Sequence, residues 1–253
     1  MAETAQEDHT GTFVSFVLLE DAAIDLDRLR QTLREDWGMD LASENSNDDS
    51  LVAETDGMMI AVSLMPAPVP NGEAVTNAKT NDRWPEAVAA AEAHRAHIMV
   101  AVLRREQPLL DGAVLYVKLC ASCLKQPGVL GINTLGSVLA PDFYREAALA
   151  YLAAGQFPLL NLVFFGLYTN DGQTCCGYTY GMDVFGKQDL EILDSTHTPG
   201  EVNRLLMGVA SYVIEENVTL RDGETIGFTA EQKLPITASA GAALDGLTLK
   251  IGY

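Results

Sequence analysis

The stretch LVAETDGMMIAVSL, residues 51–64, carries the clearest fold signal in the chain. Two runs with the composition of β-strands flank Asp56-Gly57. An Asp-Gly pair suits the tight turn of a β-hairpin, because both central residues of that turn adopt positive φ. The segment therefore predicts an antiparallel hairpin in the first half of the chain.

The segments on either side of this hairpin alternate between strand and helix patterns. In chain order they predict a strand at residues 13–19, a helix at 25–37, a polar loop at 43–50, the hairpin, an extended proline segment at 65–70, a helix at 81–93 and a strand at 97–103. The order strand, helix, strand, strand, helix, strand is that of a ferredoxin-like split βαβ fold. We therefore predict such a half over residues 12–105, preceded by a mobile acidic start at residues 1–11.

Residues 106–253 predict a second half, with a mixed or antiparallel sheet and flanking helices. The expected elements are a helix at 111–125, short apolar runs at 129–139, a helix from 141 to Gly155, strands at 159–168, 174–180 and 189–193, and a helix opened by a capping box at 198–201. Asp-Gly pairs at residues 171, 222 and 245 predict turns. Strands joined by hairpins with interspersed helices define an α+β protein of two packed halves.

The chain is strongly acidic. It has 253 residues, with 16 Lys and Arg against 35 Asp and Glu, a net charge of −19. This balance argues against nucleic acid, which rewards Lys and Arg, and against anionic membranes. A basic protein partner would be attracted.

No secretory signal is readable in the acidic start MAETAQEDHT, so the sequence predicts a cytoplasmic protein. Residues 147–170 carry no charge, but Gly155, Gln156 and Pro158 interrupt them. We therefore predict a buried central strand at 159–168 rather than a membrane span.

Cysteines and histidines offer weaker candidates. Cys120 and Cys123 form a CxxC that predicts either a thiol or zinc site, or buried core thiols deep in a helix; the helical position favours the core. Cys175 and Cys176 are adjacent in a predicted strand, so their side chains point to opposite faces and do not share one ion. His94 and His97 have metal-like spacing, but the end of the helix near residue 93 separates them. We predict no metal and no cofactor.

The most distinctive stretch is YTYGMDVFGKQDLEIL, residues 178–193. It places Lys187 among aromatic residues and ahead of Glu191. The candidate ligand-binding residues are Tyr178, Tyr180, Lys187 and Glu191. Alternatively, the glycines permit a corner between strands, and Lys187 and Glu191 form a structural ion pair.

Three sequences in order, GYTYGMDVFGKQDLEILDS, ASYVIEENVTLRDGETIGFTAEQKLPITAS and the final LTLKIGY, resemble the bacterial domain-of-unknown-function family 4261. The earlier MPAPVP, Trp84 and HRAHIMV are similar to its first half. This resemblance implies a bacterial, intracellular α+β protein. The family has no established activity, so no catalytic residue carries over.

Two further classes of function stay open beside a thiol or zinc protein. The absence of familiar catalytic motifs and the strong negative charge favour a non-catalytic binding or protein-interaction module. The alternative is a small-molecule enzyme, such as a hydrolase, with a site around Tyr180, Lys187 and Glu191. Convergence of those side chains in one pocket would favour the enzyme.

Overall fold

The computed structural model describes residues 10–229 and 231–253. The predicted mobile start therefore lies outside the described residues, except for Thr10 and Gly11. The α+β class is confirmed, since helices and two separate sheets are present. The chain divides into two compact units, an N-terminal unit at Gly11–Leu162 and a C-terminal unit at Val163–Tyr253, to which Thr10 also belongs.

The N-terminal unit contains a seven-stranded sheet in the order β2-β3-β4-β5-β1-β6-β7, with every neighbouring pair antiparallel. Its strands are β1 (Phe13–Leu19), β2 (Ala42–Ser46), β3 (Ser50–Thr55), β4 (Met58–Met65), β5 (Ala96–Leu103), β6 (Val129–Thr134) and β7 (Ser137–Leu139). Its helices are α1 (Leu26–Trp37), α2 (Glu73–Ala78), α3 (Ala87–Ala93), α4 (Leu109–Cys123) and α5 (Pro141–Ala153).

Helices cover both faces of this sheet. Helix α4 packs on β1 and β5, where Phe13 and Ser15 contact it. The α2–α3 pair packs against the alternate positions Phe16 and Leu18. Because successive side chains of a strand point to opposite faces, the two helical layers lie on opposite sides of the sheet.

The predicted hairpin is present as β3 and β4, which pair through the turn at Asp56-Gly57. Both turn residues have positive φ, 51° and 74°, as the tight turn requires. Local turn chemistry therefore fixes this register.

The ferredoxin-like arrangement is not confirmed. In a split βαβ unit another strand separates the two parallel strands, whereas here β4 pairs directly and antiparallel with β5. The segment between β4 and β5 leaves the sheet after Met65 and re-enters it at the same end. Met65 therefore pairs with His97, and the two strands run antiparallel. Hydrogen bonds from the Val69 N–H to His94 Nε2, and between His97 Nδ1 and the Ala67 carbonyl, hold the returning segment.

Three local expectations in this unit need correction. The polar loop predicted at 43–50 contains the edge strand β2, whose polar composition is common at sheet edges. Helix α2 was not predicted, and the helix expected at 81–93 is confined to α3. The strand predicted at 159–168 begins as a 3-10 turn at Leu159–Asn161, following Pro158, and only its last residues form a strand.

The boundary between units also differs from the predicted division at residue 105. Strand β6 pairs with β1, and α4 packs on β1 and β5. These contacts join residues 106–162 to the first sheet, so the division falls between Leu162 and Val163.

The C-terminal unit contains a mixed six-stranded sheet in the order β11-β12-β13-β10-β9-β8. Its elements are β8 (Phe164–Tyr168), β9 (Cys175–Tyr180), β10 (Leu190–Ser195), α6 (Pro199–Glu215), β11 (Thr225–Ile226), β12 (Leu234–Ala240) and β13 (Leu247–Ile251). Strand β8 lies at an edge, so the predicted central position for this apolar segment is wrong. Only β10 and β13 pair in parallel.

Helix α6 packs against β8, β9 and β10. It begins with the predicted capping box, in which Thr198 and Glu201 satisfy each other's backbone N–H groups. Its stripe of Val202, Leu206 and Val209 is fully buried. This packing leaves the opposite side of β9, β10 and β13 to the candidate site.

Candidate functional site

A cleft of about 400 Å³ lies in the C-terminal unit, where the segment between β9 and β10 faces the turn between β12 and β13. Its wall from the first segment includes Tyr180, Asp183, Lys187 and Asp189. The wall from the second comprises Ala243, Leu244, Asp245, Leu247 and Thr248. Three carboxyl groups therefore share the cleft with one lysine.

The first wall has the glycine-permitted corner that the sequence offered as one alternative. A single 3-10 turn, Met182–Phe185, is flanked by Gly181 and Gly186, whose φ values are 101° and 66°. Positive φ at both ends lets the chain reverse between β9 and β10 without a Cβ clash. The corner carries Asp183 and Lys187 into the lining of the cleft.

Asp189 is the titratable group of the cleft that sequence reasoning missed. Its Oδ1 accepts hydrogen bonds from Thr179 Oγ1 at 2.9 Å and from the Met182 N–H at 3.3 Å. Burial raises the pKa of Asp189 to about 7, and these neutral donors only partly offset that effect. A carboxyl group that titrates near neutrality can bind a cation or exchange a proton.

Tyr180 and Lys187, both predicted, line the same cleft. Tyr180 is 42% exposed, and Leu247 nearby is 61% exposed, so the rim of the cleft is apolar. The Lys187 ammonium donates to Asn217 Oδ1 at 2.8 Å. The predicted ion pair between Lys187 and Glu191 is therefore wrong.

Glu191 lies beneath the cleft wall rather than in its lining. Its side chain is fully buried, and its cationic partner is Lys250, whose Nζ lies 3.1 Å from Oε2. Burial alone would raise the pKa of Glu191, but hydrogen bonds from the Ala242 and Ala243 N–H groups, from Lys250 and from Thr248 outweigh burial and lower it. Glu191 is thus an ionised structural carboxylate, and sequence reasoning missed Lys250.

Tyr178, the fourth predicted residue, lies outside the lining of the cleft. Its ring covers Gly166, where an added Cβ would come within 2.1 Å of a ring carbon. The rings of Phe164 and Tyr168 flank it at 6.2 and 6.3 Å between centroids. Tyr178 therefore packs on the edge strand β8.

The signals that could have found the missed residues are weak. Asp189 lies inside the stretch singled out in the sequence, and Asp245 belongs to a predicted turn. Neither shows by its spacing that the two carboxyl groups line one cleft, because that proximity depends on the pairing of β10 with β13.

The remaining candidates are buried. Cys120 and Cys123 lie inside α4, and burial raises the pKa of Cys120 to about 12, so its reactive thiolate is disfavoured. All four cysteines are free thiols. Within residues 10–229 and 231–253, no three His, Cys, Asp or Glu side chains are placed to hold a metal ion.

The comparisons with known proteins concern the segment that carries the cleft. Residues 178–252 match the family described as Domain of unknown function (DUF4261). The resemblance is thereby confirmed over this segment, and every residue that lines the cleft lies within the DUF4261 match. No curated protein and no solved structure matches the chain.

Helix lengths bear on the membrane question. Across the described parts of the chain, no helix combines the length and the apolar character that crossing a bilayer requires.

Proposed function

We infer that the protein is a non-catalytic binding module, and that the DUF4261 cleft receives a cationic side chain, arginine or lysine, of a basic partner protein. The observation that carries this proposal is the combination of Asp183, Asp189 and Asp245 with the exposed rim residues Tyr180 and Leu247. Carboxylates pair with the cationic head, and an aromatic face and an aliphatic side chain contact its apolar stem.

The charge of the whole chain supports the same partner class. A net charge of −19 attracts basic proteins from a distance and raises their association rate at low salt. The cleft would then select the side chain that fits among its carboxyl groups. Because an approaching cation favours the ionised form of Asp189, binding should tighten as pH rises through about 7.

The test uses a tetra-arginine peptide with blocked ends, titrated into the full chain and followed by amide chemical shifts. We expect shifts centred on Tyr180, Asp183 and Asp245, and an affinity that falls as salt rises. The variant Asp183→Asn with Asp245→Asn should weaken binding about tenfold. A matched double variant, Asp21→Asn with Asp82→Asn, makes the same charge change at exposed positions of the N-terminal unit.

Equal loss of affinity in both double variants would contradict the proposal, because it would reduce binding to general attraction by net charge. Amide chemical shift changes spread over both units would contradict the proposal for the same reason. A tetra-glutamate peptide provides the negative control.

A second candidate function, a small-molecule enzyme such as a hydrolase, is favoured by one observation. A carboxyl group with a pKa of about 7 lining a cleft is suited to general acid–base catalysis near neutral pH. In this candidate Asp189 transfers the proton, and the predicted residues Tyr180 and Lys187 contact the substrate.

The test of this candidate is hydrolysis of p-nitrophenyl esters and phosphate esters. Activity that rises as pH passes about 7 and disappears in Asp189→Asn would support it. Equal rates for the wild type and Asp189→Asn would exclude Asp189 as the catalytic base.

A further inference from the structure

The buried carboxylate of Glu191 holds the turn that forms one wall of the cleft. Both of its oxygens lie 3.0 Å from the Ala242 N–H, and Oε1 lies 2.8 Å from the Ala243 N–H. The Thr248 hydroxyl donates to Oε2 at 2.9 Å. Glu191 therefore contacts both sides of the β12–β13 turn from below.

Lys250 fastens the same turn by its other end. Its ammonium donates to the carbonyls of Ser239 and Ala240, at 3.0 and 2.6 Å, and to the Thr248 hydroxyl at 2.6 Å. With Glu191 at 3.1 Å, the ammonium has four oxygen neighbours. The ion pair thus joins the end of β12, the turn and β13.

The turn is also closed by a hydrogen bond of its own backbone. Within it, the Gly241 N–H donates to the Gly246 carbonyl at 2.8 Å. The side chains beyond that bond, at Leu244, Asp245 and Leu247, line the cleft, and Leu247 is largely exposed. Without Glu191, two backbone N–H groups that point inward would lose their acceptor, and such groups are costly to leave unpaired.

We propose that Glu191 and Lys250 are the positioning pair of the cleft, which fix the β12–β13 turn so that Asp245 faces Asp183 and Asp189. This inference rests on the proposed binding function and assigns to Glu191 an indirect role. Glu191 contacts no ligand itself, and its effect on binding passes through the turn. The two residues belong to one site because the register of β10 and β13 places them side by side.

The experiment compares the wild type with Glu191→Gln in two measurements, amide hydrogen exchange at Ala242 and Ala243 and affinity for the tetra-arginine peptide. An amide keeps one oxygen for the Ala242 and Ala243 N–H groups, but it turns an N–H₂ group toward the Lys250 ammonium and removes the charge that pairs with it. We expect exchange at least about tenfold faster and affinity about tenfold weaker. Glu231→Gln, at an exposed position of the same unit, removes one negative charge without touching the turn and should change neither.

A double-mutant cycle separates positioning from a loss of stability. If Glu191 acts by placing Asp245, then Glu191→Gln should weaken binding much less in an Asp245→Asn background than in the wild type. Additive losses would overturn the inference. Thr248→Val removes a single donor to Glu191 and keeps the test available if Glu191→Gln does not fold; it should speed exchange in the turn and weaken binding in the same direction.

The remaining outcomes are distinct. Exchange and affinity that both stay at wild-type values in Glu191→Gln would overturn the positioning role, as would faster exchange with unchanged affinity. A wild-type chain that does not bind the peptide would instead overturn the proposed function itself.

Discussion

The two sheets bury polar side chains in opposite states of charge. Between α4 and the seven-stranded sheet, the Ser15 hydroxyl lies 3.3 Å from the Cys120 thiol, and the Tyr116 hydroxyl lies 3.1 Å from that of Thr134. Burial raises the pKa of Tyr116 well above its usual range and that of Cys120 to about 12. These groups are neutral near pH 7 because a phenol and a thiol have high pKa values to begin with, and burial raises those values further.

In the six-stranded sheet the Glu191 side chain is also inaccessible to solvent but stays ionised. Two backbone N–H groups and an ammonium lie within hydrogen-bond distance of its oxygens. For this carboxyl group, whose usual pKa already favours the charged form, the donors and the counter-charge outweigh the effect of burial. The neutral cluster contributes to the core, whereas the charged pair holds a turn at the surface.

The largest expected effect is on the charged pair. Lys250→Met leaves Glu191 buried without its cation, and such losses cost about 3–5 kcal/mol. Urea denaturation should show this decrease in the free energy of unfolding at neutral pH. Lys233→Met, at an exposed position just before β12, is the matched control and should change stability little.

The same variant has a pH signature. The pKa of Glu191 is lowered on folding, so its stabilising effect is present above the unfolded pKa and is lost as pH falls through the folded one. The cost of Lys250→Met should therefore shrink in acid. If the stability loss in Lys250→Met does not change with pH, Lys250 contributes through packing rather than through its charge. The buried groups of the two sheets would then not differ in the way proposed here.

The next largest effect is expected for Asp189→Asn, which should stabilise the folded chain, whereas Lys250→Met destabilises it. The folded pKa of Asp189, about 7, lies above the unfolded value, so the folded state binds more protons and stability falls as pH rises between them. Asp189→Asn removes this dependence and should stabilise the chain by about 1–3 kcal/mol at pH ~8 but little at pH ~4. Thermal unfolding of both proteins across this range measures the effect. A stability difference that does not grow with pH would contradict the raised pKa.

Features set by local chemistry could be predicted from the sequence. The Asp56-Gly57 hairpin and the Thr198 capping box depend on residues a few positions apart, and both are present as expected. The order of strands could not be predicted in the same way, because the pairing of β6 with β1 joins segments more than a hundred residues apart. This pairing, together with the packing of α4 on β1 and β5, joins residues 106–162 to the first sheet.

The candidate site divides in the same way. Tyr180 and Lys187 lie close together in sequence, and both line the cleft. Lys187 and Glu191 are equally close in sequence, yet Lys187 bonds to Asn217 and Glu191 to Lys250, each on another element. Proximity along the chain therefore does not show which charges pair.

A smaller effect on stability is expected in the neutral cluster between α4 and the seven-stranded sheet, which comprises Ser15, Tyr116, Cys120 and Thr134. Tyr116→Phe removes a hydroxyl that bonds to Thr134 and leaves that buried hydroxyl short of a partner, so we expect a loss of about 1 kcal/mol. Tyr144→Phe is the matched variant, because the neighbour of the buried Tyr144 hydroxyl is the Cys120 thiol, which is only a weak hydrogen-bonding group. Its removal should leave stability unchanged or slightly increased. Equal losses for both variants would show that the ring, not the hydroxyl bond, is affected.

The smallest effect belongs to an ion pair at the surface. Arg34 and Asp40 lie 3.1 Å apart with side chains 68% and 83% exposed. Since water solvates both charges in the folded and unfolded states, Asp40→Asn should cost less than about 0.5 kcal/mol. Measured beside Lys250→Met under one set of conditions, it compares an exposed cation–carboxylate pair with a buried one. Equal losses of stability in the two variants would contradict this prediction, because they would show that burial does not increase the contribution of the Lys250–Glu191 pair.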